Sequence, residues 1–229
     1  VALTGSRVVT KGSSACATLL GNGKDPVVRA PDTFANENKD LTHTIGLKYL
    51  TILGNNAETA VELVNVDLVE LNQVVVGGAE VAVRFDYKGV LPPTASSIPG
   101  GSYCYDSRMV GKTTTLVIKN QTQCWFANNW FPKVNNTCHI KVISCNKIRF
   151  FGNEFDPLRD ANSVGVDISD TKEIGTHNLI FSGNWHGEIP GKAYRFDLTH
   201  PYSGRMSIDD LSESTRWAPP DELSSSDFR

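Results

Sequence analysis

The sequence predicts an all-β protein built as a parallel β-helix, and three observations carry this prediction. The 229 residues include 19 Gly and 11 Pro, and few stretches are rich in the residues that favour helices. Short segments of alternating apolar residues that end in a Gly or Asn turn recur along the chain. A second set of alternating segments follows these turns in phase with the first set. Short strands that return without helices between them favour a solenoid whose coils stack on one another.

The first set of segments has its turns at residues 54, 78, 128, 152 and 183. The steps between these turns are 24, 50, 24 and 31 residues. They indicate a coil of about 24 residues, with one double step and one step that contains an insertion. The segments are 50–55, 74–78, 124–129, 148–153 and 179–184.

The second set keeps the same order, and its member at 116–118 fills the double step of the first set. An antiparallel sandwich also has short strands, but its hairpins recur about every 8 to 12 residues and would not keep two strand positions in phase. The repeat therefore favours the β-helix. The other members are 61–63, 83–85, 140–142, 166–168 and 194–196.

The β-helix is expected to occupy residues 1–208, with inserted loops near 31–43 and 89–111, where polar, Pro and Gly residues interrupt the pattern. Residues 209–229 have no periodicity and contain Pro219-Pro220 and a run of serines, so they predict a C-terminal cap or linker. The chain does not begin with Met, and we expect it to be part of a longer protein.

Composition and charge exclude several classes of function. The net charge of −3 and the pI of about 6.0 argue against nucleic acid as a partner, because no basic run would neutralise phosphates. No apolar stretch approaches the roughly 18 residues of a membrane span, so no membrane insertion is expected. The five cysteines show no C-x₂-C spacing and are expected to be buried free thiols. No metal and no cofactor are implied.

The Gly-Asn turns at 54–55, 152–153 and 183–184, the paired strand registers, and the opening segment 8–14 leading to 27–29 resemble a known family. Over residues 8–208 the chain resembles the right-handed parallel β-helix of phage tailspikes and pectate-lyase-like proteins. The resemblance implies a homotrimer in the virion tail that binds, and often cleaves, bacterial surface polysaccharide. Trp125, Phe131, Phe151 and Trp217 would supply apolar surface for a partner chain if they are exposed. The Asn-Thr-Asp and Gly-His-Gly blocks of polygalacturonases are absent, which disfavours an activity on pectin.

Aligning the coils on their turns stacks Asn55, Asn129, Asn153 and Asn184 in one column. In-register amide side chains hydrogen-bond from coil to coil, so this column is expected to point inward. Alternation then turns the next position outward and places Trp130, Glu154 and Trp185 in a row along the wall. Sugar rings stack on tryptophan, and a carboxylate accepts from hydroxyls, so the row is a candidate sugar platform. Packing under a loop or a trimer partner is the alternative.

The second register places Asp167 and Asp197 diagonally on adjacent coils, about 7–8 Å apart at the backbone. An inverting glycosidase needs an acid and a base about 6.5–9.5 Å apart, so these two are candidate catalytic residues. Asp170 is an alternative base. Glu154 and Glu188, with Asp156 between them in the sequence, form a rival cluster beside the tryptophans. The alternative is that opposite charges on neighbouring coils, Glu62 beside Arg84 and Asp167 beside Arg195, form cross-strand pairs that merely keep the wall soluble.

Substrate binding is assigned to Trp130, Trp185, Arg195, Arg84 and His186. Arg195 would hold an acidic sugar by two hydrogen bonds. The function expected from sequence is binding and hydrolysis of bacterial surface polysaccharide by two carboxylates. A non-catalytic glycan-binding or structural spike segment is the alternative, and a lyase is a third possibility.

Overall fold

A computed structural model describes residues 6–9, 17–30, 42–88, 100–132, 137–200 and 204–212. Within these ranges the chain forms only strands, turns and bends. None of them contains a helix long and apolar enough to cross a membrane. The strands are β1 (Ser6–Val9), β2 (Ala17–Gly21), β3 (Val28–Arg29), β4 (Thr42–Lys48), β5 (Leu50–Leu53), β6 (Thr59–Val64), β7 (Val66–Asn72), β8 (Val75–Asp86), β9 (Tyr103–Tyr105), β10 (Arg108–Lys119), β11 (Trp125–Ala127), β12 (Trp130–Phe131), β13 (Cys138–Ile143), β14 (Asn146–Phe151), β15 (Glu154–Phe155), β16 (Val164–Ser169), β17 (His177–His186), β18 (Lys192–Asp197) and β19 (Met206–Ser212).

The named strands join into one large sheet in which every pair is parallel except β1 with β2. The sheet consists of three ladders. Ladder A joins β2, β5, the start of β8 and of β10, β12, β15, and the ends of β17 and β19. Ladder B joins β3, β6, the ends of β8 and β10, β13, β16 and β18. Ladder C joins β4, β7, β9, β11, β14 and the starts of β17 and β19.

Each coil of the chain therefore adds one strand to each ladder, which is consistent with a β-helix-like solenoid. The all-β prediction and the stacking of parallel strands are confirmed. The second strand register is ladder B, where Leu63, Phe85, Ile118, Val142 and Ile168 pair in one inward column.

The first set of segments predicted from sequence contains strands of two different ladders. Segment 51–53 pairs with 75–77 in ladder A. Segments 125–127, 149–151 and 180–182 pair with one another in ladder C. The strands of both ladders end in a turn of small residues. These turns look alike in the sequence, although the two sets of turns lie at different corners of the coil.

The interior is filled by side chains that stack from coil to coil. Phe126, Phe150 and Phe181 form one column in ladder C, with ring centroids 4.8 and 5.0 Å apart. Phe131 and Phe155 begin a second column in ladder A, with centroids 4.7 Å apart. Stacking at the strand spacing of about 4.8 Å buries each ring against the next.

Four cysteines lie in this interior as free thiols, as expected. They are Cys104, Cys124, Cys138 and Cys145. Burial raises the pKa of Cys104 and of Cys124 to about 12. The fifth cysteine, Cys16, lies outside the described residues.

The described strands extend into segments that were expected to be loop or tail. β9 and the start of β10 lie within 89–111, and β19 reaches Ser212, four residues beyond 208. Residues 31–41, 89–99 and 213–229, which hold the remainder of the expected loops and tail, lie outside the described residues.

Candidate functional site

Four outward side chains form a row along ladder A, which we call row A: Arg108, Trp130, Glu154 and Trp185. Strand pairing places each of them in register with the next. The residues that follow them, Met109, Phe131, Phe155 and His186, are all buried. Alternation along each strand therefore turns row A to the outside, as predicted for Trp130, Glu154 and Trp185.

Trp130 is held in place by two neighbours and stays partly exposed. It is 39% exposed. The Arg108 guanidinium lies 4.4 Å from the ring centroid, and the indole N–H donates to Asp156 Oδ1 at 3.0 Å. A ring fixed by two neighbours loses little conformational freedom when a ligand stacks on it. Glu154 beside it is exposed, and Trp185 is half-buried.

The asparagines that precede these residues form a buried column that fixes the corner between ladders C and A. Asn153 Oδ1 accepts the backbone and side-chain N–H groups of Asn129 at 2.9 and 3.0 Å. Asn184 Oδ1 does the same for Asn153, at 3.0 and 2.8 Å. The residue before each asparagine has a positive φ, at Asn128 (54°), Gly152 (57°) and Gly183 (63°). Gly and Asn tolerate that conformation better than other residues, which explains the recurring turn sequence.

Asn55 does not belong to this column, which corrects the alignment made from sequence. It is exposed, has a φ of 46°, and donates from Nδ2 to the Gly21 carbonyl at 3.2 Å. Its turn joins β5 of ladder A to β6 of ladder B, so it lies at a different corner from the turns of the other three asparagines. The column instead continues from Asn184 to Asp210.

The structure places His186, which the sequence assigns to substrate binding, in the core and not on the outer wall. His186 follows Trp185, so alternation turns it into the core, where it is fully buried and stacks on Phe155 with centroids 4.6 Å apart. Its Nε2 lies 3.1 Å from both the Tyr194 hydroxyl and Asp210 Oδ2. A sugar on the outer wall has no access to this ring.

Asp167 and Asp197 occupy the diagonal positions expected from the second register. Asp167 pairs with Arg195, and Ser169 pairs with Asp197. Asp167 is mostly buried, and Arg195 donates to both of its oxygens, at 2.9 and 2.5 Å. This contact raises the pKa of Arg195 above its usual value. Asp197 is exposed. The cross-strand ion pair expected between Asp167 and Arg195 is therefore present.

Asp170 ties loop backbone together. Its Oδ1 accepts the N–H of Thr176 at 2.6 Å, and its Oδ2 accepts those of Thr199 and His200 at 3.0 and 2.9 Å. Its side chain is only 1% exposed. With both oxygens engaged by backbone, Asp170 is poorly placed to act on a substrate.

Arg84 and Glu188, the remaining candidate site residues, differ in burial and in their contacts. Arg84 is partly buried and lies 3.9 Å from Glu58, while its Nε is buried without a hydrogen-bond partner. Glu188 is exposed, two residues after His186. It therefore lies close to the Trp185 end of row A, on the coil next to that of Glu154.

Two features of the wall were not found from sequence. Asp86, on ladder B, is 4% exposed, and its Oδ1 has no hydrogen-bond partner. Burial raises the pKa of Asp86 above its usual range although Lys119 and Lys88 oppose the shift. The other feature is that Trp125, which the sequence names only as apolar surface for a partner chain, lies in register with Tyr103 and Arg149 on ladder C. Both depend on contacts between coils, which a search along the sequence does not reveal.

No three His, Cys, Asp or Glu side chains among the described residues converge as a metal ion would require. Of the aromatic residues expected to cover a partner surface, Trp125 is 42% exposed and Phe131 is fully buried. Trp217 lies outside the described residues. Comparison of the chain with protein-family models, with curated proteins and with solved structures finds no match.

Proposed function

We propose that this protein binds polysaccharide along row A. One observation carries the proposal: Trp130, Glu154 and Trp185 face outward in register on successive coils, with the Trp130 ring already held by Arg108 and Asp156. Neighbouring coils are about 4.8 Å apart, close to the length of a sugar ring. A polymer that follows the row would meet a stacking surface, a hydrogen-bonding carboxylate and a second stacking surface in turn.

Hydrolysis of the bound polymer is the second candidate function. Glu154 and Glu188 are both exposed and lie on adjacent coils beside the stacking residues, so one carboxyl could donate a proton to the leaving oxygen while the other activates water. Asp197, which is exposed near Arg195, is the rival. Asp167 is the weaker member of its pair, because both of its oxygens are already occupied. A non-catalytic recognition or structural role remains the alternative.

The finer architecture and the biological setting belong to the same proposal. We infer a right-handed β-helix of about 24 residues per coil, supported by the 24 residues that separate the paired Trp130 and Glu154. The resemblance stated from sequence supports a homotrimeric phage tailspike that acts at the bacterial surface. The target would then be a capsular or O-antigen polysaccharide.

The first experiment tests binding. The protein is passed through native gels that contain each member of a panel of bacterial capsular and O-antigen polysaccharides, and its retardation gives a dissociation constant. We expect one or a few polymers to retard it, and Trp130→Ala or Trp185→Ala to weaken that binding about tenfold or more. Leu53→Ala, which removes an exposed apolar side chain elsewhere on ladder A, is the matched control. Binding that survives both tryptophan changes would overturn the proposal for row A.

The second experiment tests cleavage of the polymer that binds. Size-exclusion chromatography follows chain shortening by the parent protein and by Glu154→Gln, Glu188→Gln, Asp197→Asn and Asp167→Asn. Loss of shortening in the two glutamate variants, with binding retained, would locate the acid and base at row A. If the parent protein binds the polymer without shortening it, the protein is a recognition spike and not a hydrolase.

A further inference from the structure

A second row of outward side chains runs along ladder C and has no role in the function proposed above. Tyr103, Trp125 and Arg149 pair in register on three successive coils. Tyr103 is 44% exposed and Trp125 is 42% exposed. Phe151, two residues after Arg149, is half-buried beside them. We call these four residues row C. Several exposed aromatic rings in one patch mark a binding surface more often than isolated ones do.

The side chains of row C hold one another in position. The Arg149 guanidinium lies 4.9 Å from the Trp125 ring centroid. The Tyr103 and Trp125 centroids are 6.0 Å apart, and those of Trp125 and Phe151 are 6.4 Å apart. A cation over an indole face is attracted by the negative potential of that face, and it keeps the rim of the guanidinium free to donate. The patch is therefore ordered before any ligand arrives.

Row C also carries positive charge that its surroundings do not neutralise. On ladder B, Arg29 and Arg195 are paired with Glu62 and Asp167, at 2.8 and 2.5 Å. Arg149, by contrast, has no carboxylate within 4.0 Å among the described residues.

The acidic residue nearest to row C along its ladder is already paired. Glu70 is in register with Tyr103, and it binds Lys48 at 2.6 Å and accepts from the Tyr105 hydroxyl. This leaves the Arg149 guanidinium available to an anionic group supplied from outside.

Row C is separate from row A although the same coils supply both. The chain passes from Trp125 on ladder C to Trp130 on ladder A through the corner at Asn128 and Asn129. The buried asparagine column lies between the two rows and fixes their relative position.

We propose that row C is a second saccharide site, selective for a sugar that carries a carboxylate. The sugar ring would stack on Trp125 while its carboxylate accepts two N–H groups of Arg149. The inference rests on the proposed function, because it assumes that the wall binds polysaccharide. It goes further in naming an acidic polymer as the substrate class and a second face of the solenoid as part of the site.

The test compares each polysaccharide of the panel in its native form with the same polymer after chemical reduction of its carboxyl groups to alcohols. Affinity electrophoresis gives the dissociation constants. We expect Arg149→Gln and Trp125→Ala each to weaken binding of the native acidic polymer about tenfold. Carboxyl reduction of the polymer should weaken its binding to the parent protein by a similar factor. The Arg149→Gln variant should bind the native and the reduced polymer equally. Arg159→Gln, which removes one exposed arginine from the turn after β15, is the matched control and should bind like the parent protein.

The outcomes separate the inference from the proposed function. If Trp130→Ala weakens binding and the two row C variants do not, the proposal for row A is supported and the proposal for row C is overturned. Equal binding of native and reduced polymers by the parent protein would also overturn the selectivity for acidic sugars. Absence of binding to every polymer would remove both proposals. If sedimentation velocity shows an oligomer that Trp125→Ala dissociates, row C is an interface between copies of the chain and not a saccharide site.

Discussion

Asp210 takes the position next to Asn184 that a further asparagine of the column would occupy. Its Oδ1 accepts the backbone N–H of Asn184 at 3.0 Å and the side-chain N–H at 2.8 Å. Its Oδ2 accepts from the Tyr194 hydroxyl and lies 3.1 Å from His186 Nε2. A carboxylate has acceptors and no donor, so the column of amide hydrogen bonds ends at this residue.

The first prediction concerns this buried carboxylate. Asp210→Ala leaves the donors of Asn184 and Tyr194 without an acceptor in the core and removes the carboxyl beside His186 Nε2, so we expect it to lower the free energy of unfolding by about 3 kcal/mol or more. Asp210→Asn keeps an oxygen for Asn184 and should cost less. Urea denaturation followed by circular dichroism measures both changes. Asp209→Ala, on the exposed neighbour, is the control, and an equal loss in the two alanine variants would refute the role of Asp210.

The second prediction concerns the middle of the asparagine column. Asn153 is buried, accepts two N–H groups from Asn129, and donates to Asn184 Oδ1 and to the Phe126 carbonyl. Asn153→Ala leaves these partners unsatisfied and should lower the free energy of unfolding by about 2–4 kcal/mol. Asn162→Ala, at an exposed turn, should change it by less than about 0.5 kcal/mol. A small effect at Asn153, measured by urea titration of both variants, would mean that the column contributes little to stability.

The repeat and the alternation of side chains allowed much of the fold to be predicted. The stacking of Asn129, Asn153 and Asn184 and the outward positions of Trp130, Glu154 and Trp185 follow from the turn sequence and a period of two. Residue type at the turn failed to separate ladder A from ladder C, because both corners select residues that tolerate a positive φ. Asn55 was misplaced for that reason.

The errors and omissions at the site have a common cause. Alternation that turns Trp185 outward turns His186 inward, so the pattern that predicts the platform also places His186 in the core. Asp210 and Arg149 act through partners on neighbouring coils, Asn184 and Trp125, and those partners are known only once the register of the ladders is known. Sequence periodicity gives which residues share a face, but not which of them touch.

The third prediction concerns stability in mild acid. His139 is fully buried, its Nε2 lies 2.8 Å from the Asp156 carbonyl oxygen, and burial lowers its pKa to about 4. The unfolded chain takes up a proton on this ring near pH 6.5, whereas the folded protein does so only near pH 4. The free energy of unfolding should therefore fall as the pH is lowered between these values, by up to about 3 kcal/mol from this group.

Urea denaturation at intervals of half a pH unit tests the assignment to His139. The replacement His139→Phe should flatten this part of the pH dependence, because phenylalanine can pack against Phe131 and Phe155 without titrating. Asn162→Ala, at an exposed turn, removes no titratable group and should keep the dependence of the parent protein. The same slope in the parent and in His139→Phe would assign the acid sensitivity to another group.

The fourth prediction concerns the reactivity of the thiols. The thiolate is the reactive form, and burial raises the pKa of Cys104, Cys124 and Cys138 to about 12. Iodoacetamide at pH 8 should therefore leave these three unmodified in the folded protein and should alkylate them after unfolding in urea. Peptide mass mapping reads each cysteine separately. Rapid alkylation of any of the three in the native protein would show that its coil opens readily.

The antiparallel strand β1 has a consequence for how the solenoid meets other molecules. It pairs through Ser6–Val9 with β2, opposite the side on which β2 meets β5, so the backbone groups on both sides of β2 are occupied. An open edge of a parallel ladder is a template for any extended chain and the usual starting point of fibre growth. At this end of ladder A, another chain can reach the backbone of β2 only by displacing β1. Because β1 runs antiparallel to β2, a further coil of parallel strands cannot pair directly with β2 at this end of ladder A.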